Sequence, residues 1–172
     1  MENRTLTGIE RHFRDDELIV SKTDLQGRIT YCNDVFMRMA GYKESELLDK
    51  PHSIVRHPDM PRCVFKLLWD TIESGKEIFA YVINRAKNGD HYWVFAHVTP
   101  DIDANGRVTG YHSNRRTVDS RVVPLVQGLY AQLLAEEARH SDRKAGIAAA
   151  TAMLVQTLTA KGVSYEQFVL GL

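Results

Sequence analysis

Two Asn-Gly pairs in the second half of the chain constrain its fold more than any other feature. Asn88-Gly89 and Asn105-Gly106 each separate two segments rich in β-branched and aromatic residues. An Asn-Gly pair in that setting favours a tight turn between antiparallel strands. Residues 91–99, which lie between the two pairs, alternate regularly between the two faces of a strand. The sequence therefore predicts three consecutive antiparallel strands, over residues 77–85, 91–99 and 107–118.

The first half of the chain predicts another hairpin followed by short helices. Residues 18–23 and 28–32 have the composition of strands and flank the turn Gln26-Gly27. Asn33 is placed to cap a helix that Gly41 ends. Strands with helices collected on one face give an α+β fold, here a five-stranded antiparallel sheet with short helices on one face. The space between sheet and helices is a common place for a ligand.

A change of composition near Ser120 divides the chain. We predict an N-terminal arm or short helix over residues 1–14, a sensor domain over residues 15–119 and a C-terminal helical tail over residues 120–172. The tail is rich in Ala and Leu, with a second helix over residues 142–160. Its helices either pack on their own domain and each other or form a surface for output or dimerisation.

Charge and composition exclude several classes of protein. The chain has 22 basic and 22 acidic residues, which argues against binding to nucleic acid or to a membrane surface. The longest apolar run, residues 148–155, is too short to span a bilayer, and the first residues lack the apolar core of a signal peptide. We therefore expect a cytoplasmic protein. Cys32 and Cys63 lack redox or metal spacing and are expected to be buried side chains. No hydrolase, P-loop or dinucleotide motif is present, so we expect no enzyme activity.

Three groups of residues occur in this order of elements and carry a family resemblance. The first is Thr23-Asp24-Leu25 with Gly27, Ile29, Tyr31 and Asn33; the second is the loop Arg56-His57-Pro58-Asp59-Met60-Pro61; the third is Asn84-Arg85 with Lys87-Asn88-Gly89-Asp90 and Tyr92-Trp93. With these motifs residues 15–119 resemble PAS domains, and the 56–61 loop resembles the aerotaxis-receptor subgroup. Residues 77–80, 94–100 and 123–125 are similar to the free-standing PAS subunit of a bipartite energy-taxis receptor.

The resemblance implies a redox or energy-taxis sensor that binds FAD. Such a sensor signals in chemotaxis to a separate membrane-bound chemoreceptor-type protein, without membrane insertion of its own, and a homodimer is also compatible. Family position assigns the polar edge of the flavin to Asn33 and Asn84, and anionic groups to Arg56 and His57, with Asp59 orienting Arg56. A flavin ring also needs aromatic walls, for which Trp69, Tyr92 and Trp93 are the candidates, with core packing as the alternative for Trp69 and Tyr92.

The sequence leaves three points open. Ile78 stands where many FAD-binding members have Trp, and Phe79 is the candidate replacement. Trp93 lies on the strand face opposite Tyr92, where a partner could dock instead of a cofactor. Two other functions remain: a cofactor-free interaction module, or a gas sensor that binds haem b through one histidine. The histidines considered for haem are His52, His57, His97 and His112.

Overall fold

Five antiparallel strands form one sheet in the computed structural model of the protein, which describes residues 5–172. The order across the sheet is β2-β1-β5-β4-β3, so the first hairpin pairs with the last strand. The strands agree with the prediction in number, in direction and in their order along the chain. The strands are β1 (Ile19–Thr23), β2 (Ile29–Cys32), β3 (Ile78–Arg85), β4 (His91–Ile102) and β5 (Val108–Arg116).

Helix α1 begins and ends where its capping residues predict. Asn33 accepts a hydrogen bond from the Phe36 N–H at 3.0 Å, which caps α1, and Gly41 ends that helix with a left-handed conformation, φ 71°. Pro51, Pro58 and Pro61 bracket a short 3₁₀ helix and an irregular loop. The helices are α1 (Asp34–Ala40), α2 (Glu44–Leu47), the 3₁₀ helix (His52–Val55), α3 (Arg62–Glu73), α4 (Val123–Ala138), α5 (Arg143–Lys161) and α6 (Tyr165–Leu170).

Strand β4 is longer than predicted, because it continues through Pro100 to Ile102. A proline has no N–H for the strand ladder and is tolerated only where that bond is not needed. Pairing of β4 with β3 begins at Val98 opposite Ile78, so Pro100 lies beyond β3 and pairs only with β5. The prediction that this strand ends at residue 99 was therefore wrong. Strand β5 is also shorter than the predicted range, residues 107–118.

The C-terminal tail packs against the outer face of the sheet, and its helices α4 and α5 also contact α3. The Tyr130 hydroxyl of α4 donates a hydrogen bond to the carbonyl of Tyr81 at 2.6 Å, and its ring lies 6.2 Å from that of Trp93. Leu133 and Leu154 of α4 and α5 are buried in the same apolar core as the sheet. The tail therefore packs on its own domain, and its role in output or dimerisation stays a prediction. Within residues 5–172, no helix combines the length and the apolar content needed to cross a membrane.

Residues 5–14 form an extended arm, and no helix occurs within that range. The arm runs beside the start of β4, with the Arg11 N–H donating to the carbonyl of His91 at 2.7 Å and the His91 N–H donating to Ile9 at 2.9 Å. The Arg11 side chain pairs with the Asp90 carboxylate at 2.8 Å. The remainder of the predicted arm, residues 1–4, lies outside the described residues.

Gly89 is required by the arm as well as by its turn. Its φ is +99°, and a Cβ there would overlap the carbonyl oxygen of Thr5. Gly106, at the second Asn-Gly turn, has φ +77° and open space around it. We expect Gly106→Ala to cost about 1–2 kcal/mol of unfolding free energy from positive φ alone, and Gly89→Ala about 1–2 kcal/mol more from the overlap. Urea unfolding of both variants measures the difference; equal losses would contradict a role for the arm.

Candidate functional site

A cavity of about 430 Å³ lies between the inner face of the sheet and α3. This volume falls in the range of small-molecule and cofactor sites. Its lining combines apolar residues with polar side chains from four separate segments of the chain. The apolar wall includes Val55, Phe65, Leu68, Trp69, Ile72, Val82, Ala96, Val98 and Tyr111. The polar wall includes Ser21, His52, Arg56, Asn84, Ser113 and Arg115.

Arg115 is the most unusual residue of the polar wall, because its guanidinium is only 2% exposed. It donates to the Ser113 hydroxyl at 3.0 Å, to the Ser21 hydroxyl and to His52 Nε2 at 3.2 Å. The guanidinium also lies 4.8 Å from the centre of the Phe36 ring. Burial lowers the pKa of Arg115 to about 10, which still leaves it protonated at neutral pH. None of its hydrogen bonds within residues 5–172 goes to a carboxylate.

His52 is held neutral beside this cation. Burial, followed by the charge of Arg115, lowers the pKa of His52 to about 3. Its Nε2 accepts from Arg115 and lies 3.1 Å from the Ser21 hydroxyl, which assigns the ring proton to Nδ1. The ring stacks on Phe36 with centroids 5.7 Å apart. His52 therefore adds a polar group to the cavity wall without adding charge.

Two donors in the cavity wall have no partner among the described residues. They are Asn84 Nδ2 and Arg115 Nη1, and both side chains are at least 97% buried. A buried donor without an acceptor costs about 1–3 kcal/mol, so such atoms mark a place where a ligand supplies acceptors. The Tyr92 hydroxyl and the Trp93 indole N–H also lack partners within residues 5–172, but neither residue lines the cavity.

Three of the eight residues predicted for the cofactor line the cavity: Arg56, Trp69 and Asn84. The Trp69 ring meets Tyr111 edge to face, with centroids 5.5 Å apart. Arg56 lies over the Phe65 ring at 4.2 Å and donates to the carbonyl of Met60 at 3.4 Å. Burial lowers the pKa of Arg56, and the positive charges of Arg62 and Arg143 lower it further.

Three other predicted residues lie away from the cavity for structural reasons. Asn33 uses its amide on the α1 cap and on the main chain of Val20 and Leu18. Tyr92 is completely buried, and that burial raises the pKa of its hydroxyl. Trp93 faces the tail on the outer side of the sheet, where Tyr130 covers it. The geometry therefore gives these three residues packing roles.

His57 and Asp59 form a local turn in place of the predicted contacts. His57 Nδ1 accepts from the Asp59 N–H at 3.1 Å, and the Asp59 carboxylate lies 3.7 Å from the same nitrogen. The prediction that Asp59 orients Arg56 is wrong, since the Asp59 carboxylate faces His57. Burial lowers the pKa of His57, whose ring lies 5.8 Å from that of His91.

Phe79 does not replace the missing tryptophan at the start of β3. Its ring stacks on His97 at 4.3 Å and near Phe95 at 5.8 Å, on the outer face of the sheet. The aromatic part of the cavity wall comes instead from Phe65, Trp69 and Tyr111. Ile78 is buried but does not line the cavity.

The cavity residues of β1 and β5 were not among the predicted site residues, and His52 was a candidate only for haem. A signal for Arg115 was present, because alternation from Tyr111 through Ser113 places it on the inward face of β5. A charged residue on the inward face of a strand is rare without a function. Within residues 5–172 no three His, Cys, Asp or Glu side chains are grouped to hold a metal ion. Both cysteines are buried as predicted.

Comparison with known proteins gives consistent matches over this domain. Residues 29–115 match the PAS fold family. The aerotaxis receptor of Escherichia coli (strain K12) is 43% identical over 119 residues, which cover 69% of this chain and 23% of the receptor. A nitrogen fixation regulatory protein of Klebsiella pneumoniae is 28% identical over 58% of this chain and 20% of its own length. The chain thus spans less than a quarter of either relative.

A solved structure shares the fold. It is a light-oxygen-voltage domain studied with a flavin analogue, with a TM-score of 0.56 and 20% identity over 72% of this chain and 87% of that one. At this level of identity, the similarity concerns the arrangement of strands and helices alone. The match confirms the predicted α+β fold with a five-stranded antiparallel sheet.

The neutral state of His52 predicts a specific acid sensitivity. Below pH 6.5 the unfolded chain binds a proton at this residue, whereas the folded chain does so only near pH 3. Folding stability should therefore fall with falling pH in that window, by about 1.4 kcal/mol per pH unit from this group. We expect His52→Gln to remove this component in urea unfolding measured between pH 7 and pH 5. His12→Gln, whose side chain is 78% exposed, is the control, and parallel curves for both variants would contradict the assignment.

Proposed function

Because this chain belongs to the PAS family, we propose that it is a redox sensor whose cavity binds the ring system of a flavin, with FAD as the cofactor. The observation that supports this proposal most strongly is a pair of buried donors, Asn84 Nδ2 and Arg115 Nη1, for which residues 5–172 supply no hydrogen-bond partner. The ring system of a flavin is flat and aromatic, with carbonyl and nitrogen acceptors along one edge. The cavity is complementary to it, since an aromatic wall lies beside a polar one.

The charge of the polar wall supports a ligand that carries or gains negative charge. Arg115 is buried, and no carboxylate in the described part of the chain, residues 5–172, pairs with it; a buried cation is stabilised by an anionic neighbour. A flavin supplies reversible electron transfer when bound, and charge close to its ring adjusts its potential. Arg115 would therefore favour states of the ring with more electron density at its polar edge.

Arg56 is the candidate contact for the phosphates of FAD. It lines the cavity beside Phe65 and is half-buried, and a guanidinium matches phosphate oxygens well. Asn84 is opposite Arg56 in an isolated bridge between their main chains. The two residues would thus respond together to a ligand, one at its ring and one towards its phosphates.

A change of electron count at the ligand would act on the chain through these donors. The Asn84 amide can present either its oxygen or its nitrogen to the cavity by rotating. Arg115 links Ser21 of β1 to Ser113 of β5 within the polar wall of the cavity. A difference of a few kcal/mol between two such arrangements is sufficient to shift their populations.

Output to a separate protein is the second part of the proposal. The 43% identical relative is named an aerotaxis receptor, which supports a sensory role and not an enzymatic one. We propose a cytoplasmic sensor that signals to a membrane-bound chemoreceptor-type protein, either as a monomer or as a homodimer. Haem b and a cofactor-free interaction module remain the alternatives, and the spectrum of the purified protein distinguishes them.

Purified protein is expected to show the absorbance bands of an oxidised flavin. Arg115→Met should lose most of the bound flavin, because it removes the buried donor and the charge. Arg116→Met is the matched control, since Arg116 is the next residue on β5 and is exposed on the other face. Flavin content is measured by absorbance after release from equal amounts of folded protein. A haem Soret band or a colourless protein would contradict the flavin assignment.

Signalling predicts that the partner distinguishes the two redox states. We expect at least about a tenfold difference in affinity for a chemoreceptor-type protein in detergent or nanodiscs, which corresponds to about 1.4 kcal/mol of coupling. The measurement compares air-oxidised protein with protein reduced anaerobically by dithionite. Arg115→Met should abolish the difference. Equal affinity of both redox states in the wild type would contradict redox signalling.

A further inference from the structure

Glu137 of the tail is a buried carboxylate that lies at the amino end of α3. It is 6% exposed, and its Oε1 accepts a hydrogen bond from the Cys63 N–H at 2.8 Å. Helix α3 begins after Pro61, which makes no side-chain capping bond. The first N–H groups of a helix need acceptors, and a carboxylate there also interacts favourably with the helix dipole. A residue of the tail thus provides the cap that the sequence of α3 lacks.

The same carboxylate influences two further groups around the start of α3. Burial, with the negative charge of Glu137 as the next cause, raises the pKa of the Cys63 thiol to about 12. Glu137 is also the negative charge that favours the protonated form of Arg56, against the opposing charges of Arg62 and Arg143. Arg56 lines the cavity and donates to the carbonyl of Met60, two residues before α3, at 3.4 Å, so the start of α3 that Glu137 caps is in contact with the cavity wall.

The main chain around Glu137 is held in place by α5. A Cβ on Gly146 would lie 2.6 Å from the carbonyl oxygen of Glu137, so the two helices approach closely at this corner. Cys63 in turn is 1% exposed and belongs to the apolar core. A displacement of α4 or α5 would therefore move the Glu137 carboxylate relative to α3 and Arg56.

We propose that Glu137 is a positioning residue that fixes the amino end of α3 and the Arg56 side of the cavity, so that cavity and tail change conformation together. The coupling to a ligand rests on the proposed flavin site, whereas the positioning of α3 does not. Glu137→Gln keeps the size of the side chain and an oxygen acceptor but removes the charge. The positive charges of Arg62 and Arg143 then act on Arg56 without the compensating negative charge of Glu137. The cap of α3 also becomes weaker.

The reactivity of Cys63 reports this contact directly. Its thiol is buried, so alkylation by iodoacetamide proceeds through local opening of the start of α3. We expect Glu137→Gln to raise the alkylation rate of Cys63 about tenfold, the factor expected when a charge-assisted hydrogen bond is replaced by a neutral one. Cys32, the other buried thiol, is the internal control and should not change. Mass spectrometry of peptides separates the two sites.

Matched variants test the charge and the geometry independently. Glu136→Gln changes the neighbouring carboxylate, which pairs with Arg139 and His140 at the surface, and should leave Cys63 at the wild-type rate. Gly146→Ala keeps all charges but displaces the Glu137 main chain, and should also raise the Cys63 rate. An unchanged Cys63 rate in Glu137→Gln, or an equal rise in Glu136→Gln, would overturn the proposal.

Adding FAD to the same alkylation experiment separates a positioning role of Glu137 from a role in packing alone. Added FAD is expected to slow Cys63 alkylation in the wild type and to do so much less in Glu137→Gln, with no effect on Cys32. Equal protection by FAD in both proteins would overturn the coupling while leaving the flavin site intact. If FAD binds to neither, the proposed function fails, and the ligand-free comparison of the variants alone decides whether Glu137 positions α3.

Discussion

The antiparallel pairing of β1 with β5 is the interaction on which the rest of the structure depends. It joins strands that are about ninety residues apart in the sequence, with Ser21 opposite Ser113. Without it, the first hairpin and the three-strand meander would be separate pieces, each with an uncovered apolar face. The helices between the hairpin and the meander are held against one sheet because this pairing joins the two pieces. The cavity is the space left on the inner face, bounded by the sheet on one side and α3 on the other.

This pairing also creates the polar wall of the cavity. Arg115 follows Ser113 by two residues on the same face of β5, and it reaches across to Ser21 on β1. The hydroxyls of Ser21 and Ser113 and the ring of His52 accept hydrogen bonds from the guanidinium in place of water. None of these three groups carries a negative charge. A positive charge is thus held in an apolar interior by dipoles alone. Such an arrangement is costly for folding, and a bound molecule with acceptor atoms would lower that cost.

Local sequence rules were sufficient for the sheet, since Asn-Gly turns and period-two alternation predicted the meander. The residues predicted for the cofactor site include three cavity residues, Arg56, Trp69 and Asn84. Alternation places Arg115 on the inward face of β5, but the burial of its charge, like that of Glu137, was not predictable in this way. Arg115 and Glu137 are of types that are normally exposed, and their burial depends on strand order and helix packing. The Ala- and Leu-rich tail is apolar on several faces, so its periodicity did not indicate which surface it covers.

The position of β1 has a consequence for the smallest unit that can fold. The segment that matches the family, residues 29–115, begins after β1, yet β1 lies between β2 and β5 in the sheet. A fragment cut at that boundary would expose one edge of β5 and lose the hydroxyl of Ser21. A cut at residue 15 would keep β1 but leave the Asp90 carboxylate, 7% exposed, without Arg11. The autonomous folding unit therefore extends well beyond the recognisable family segment, in the amino-terminal direction.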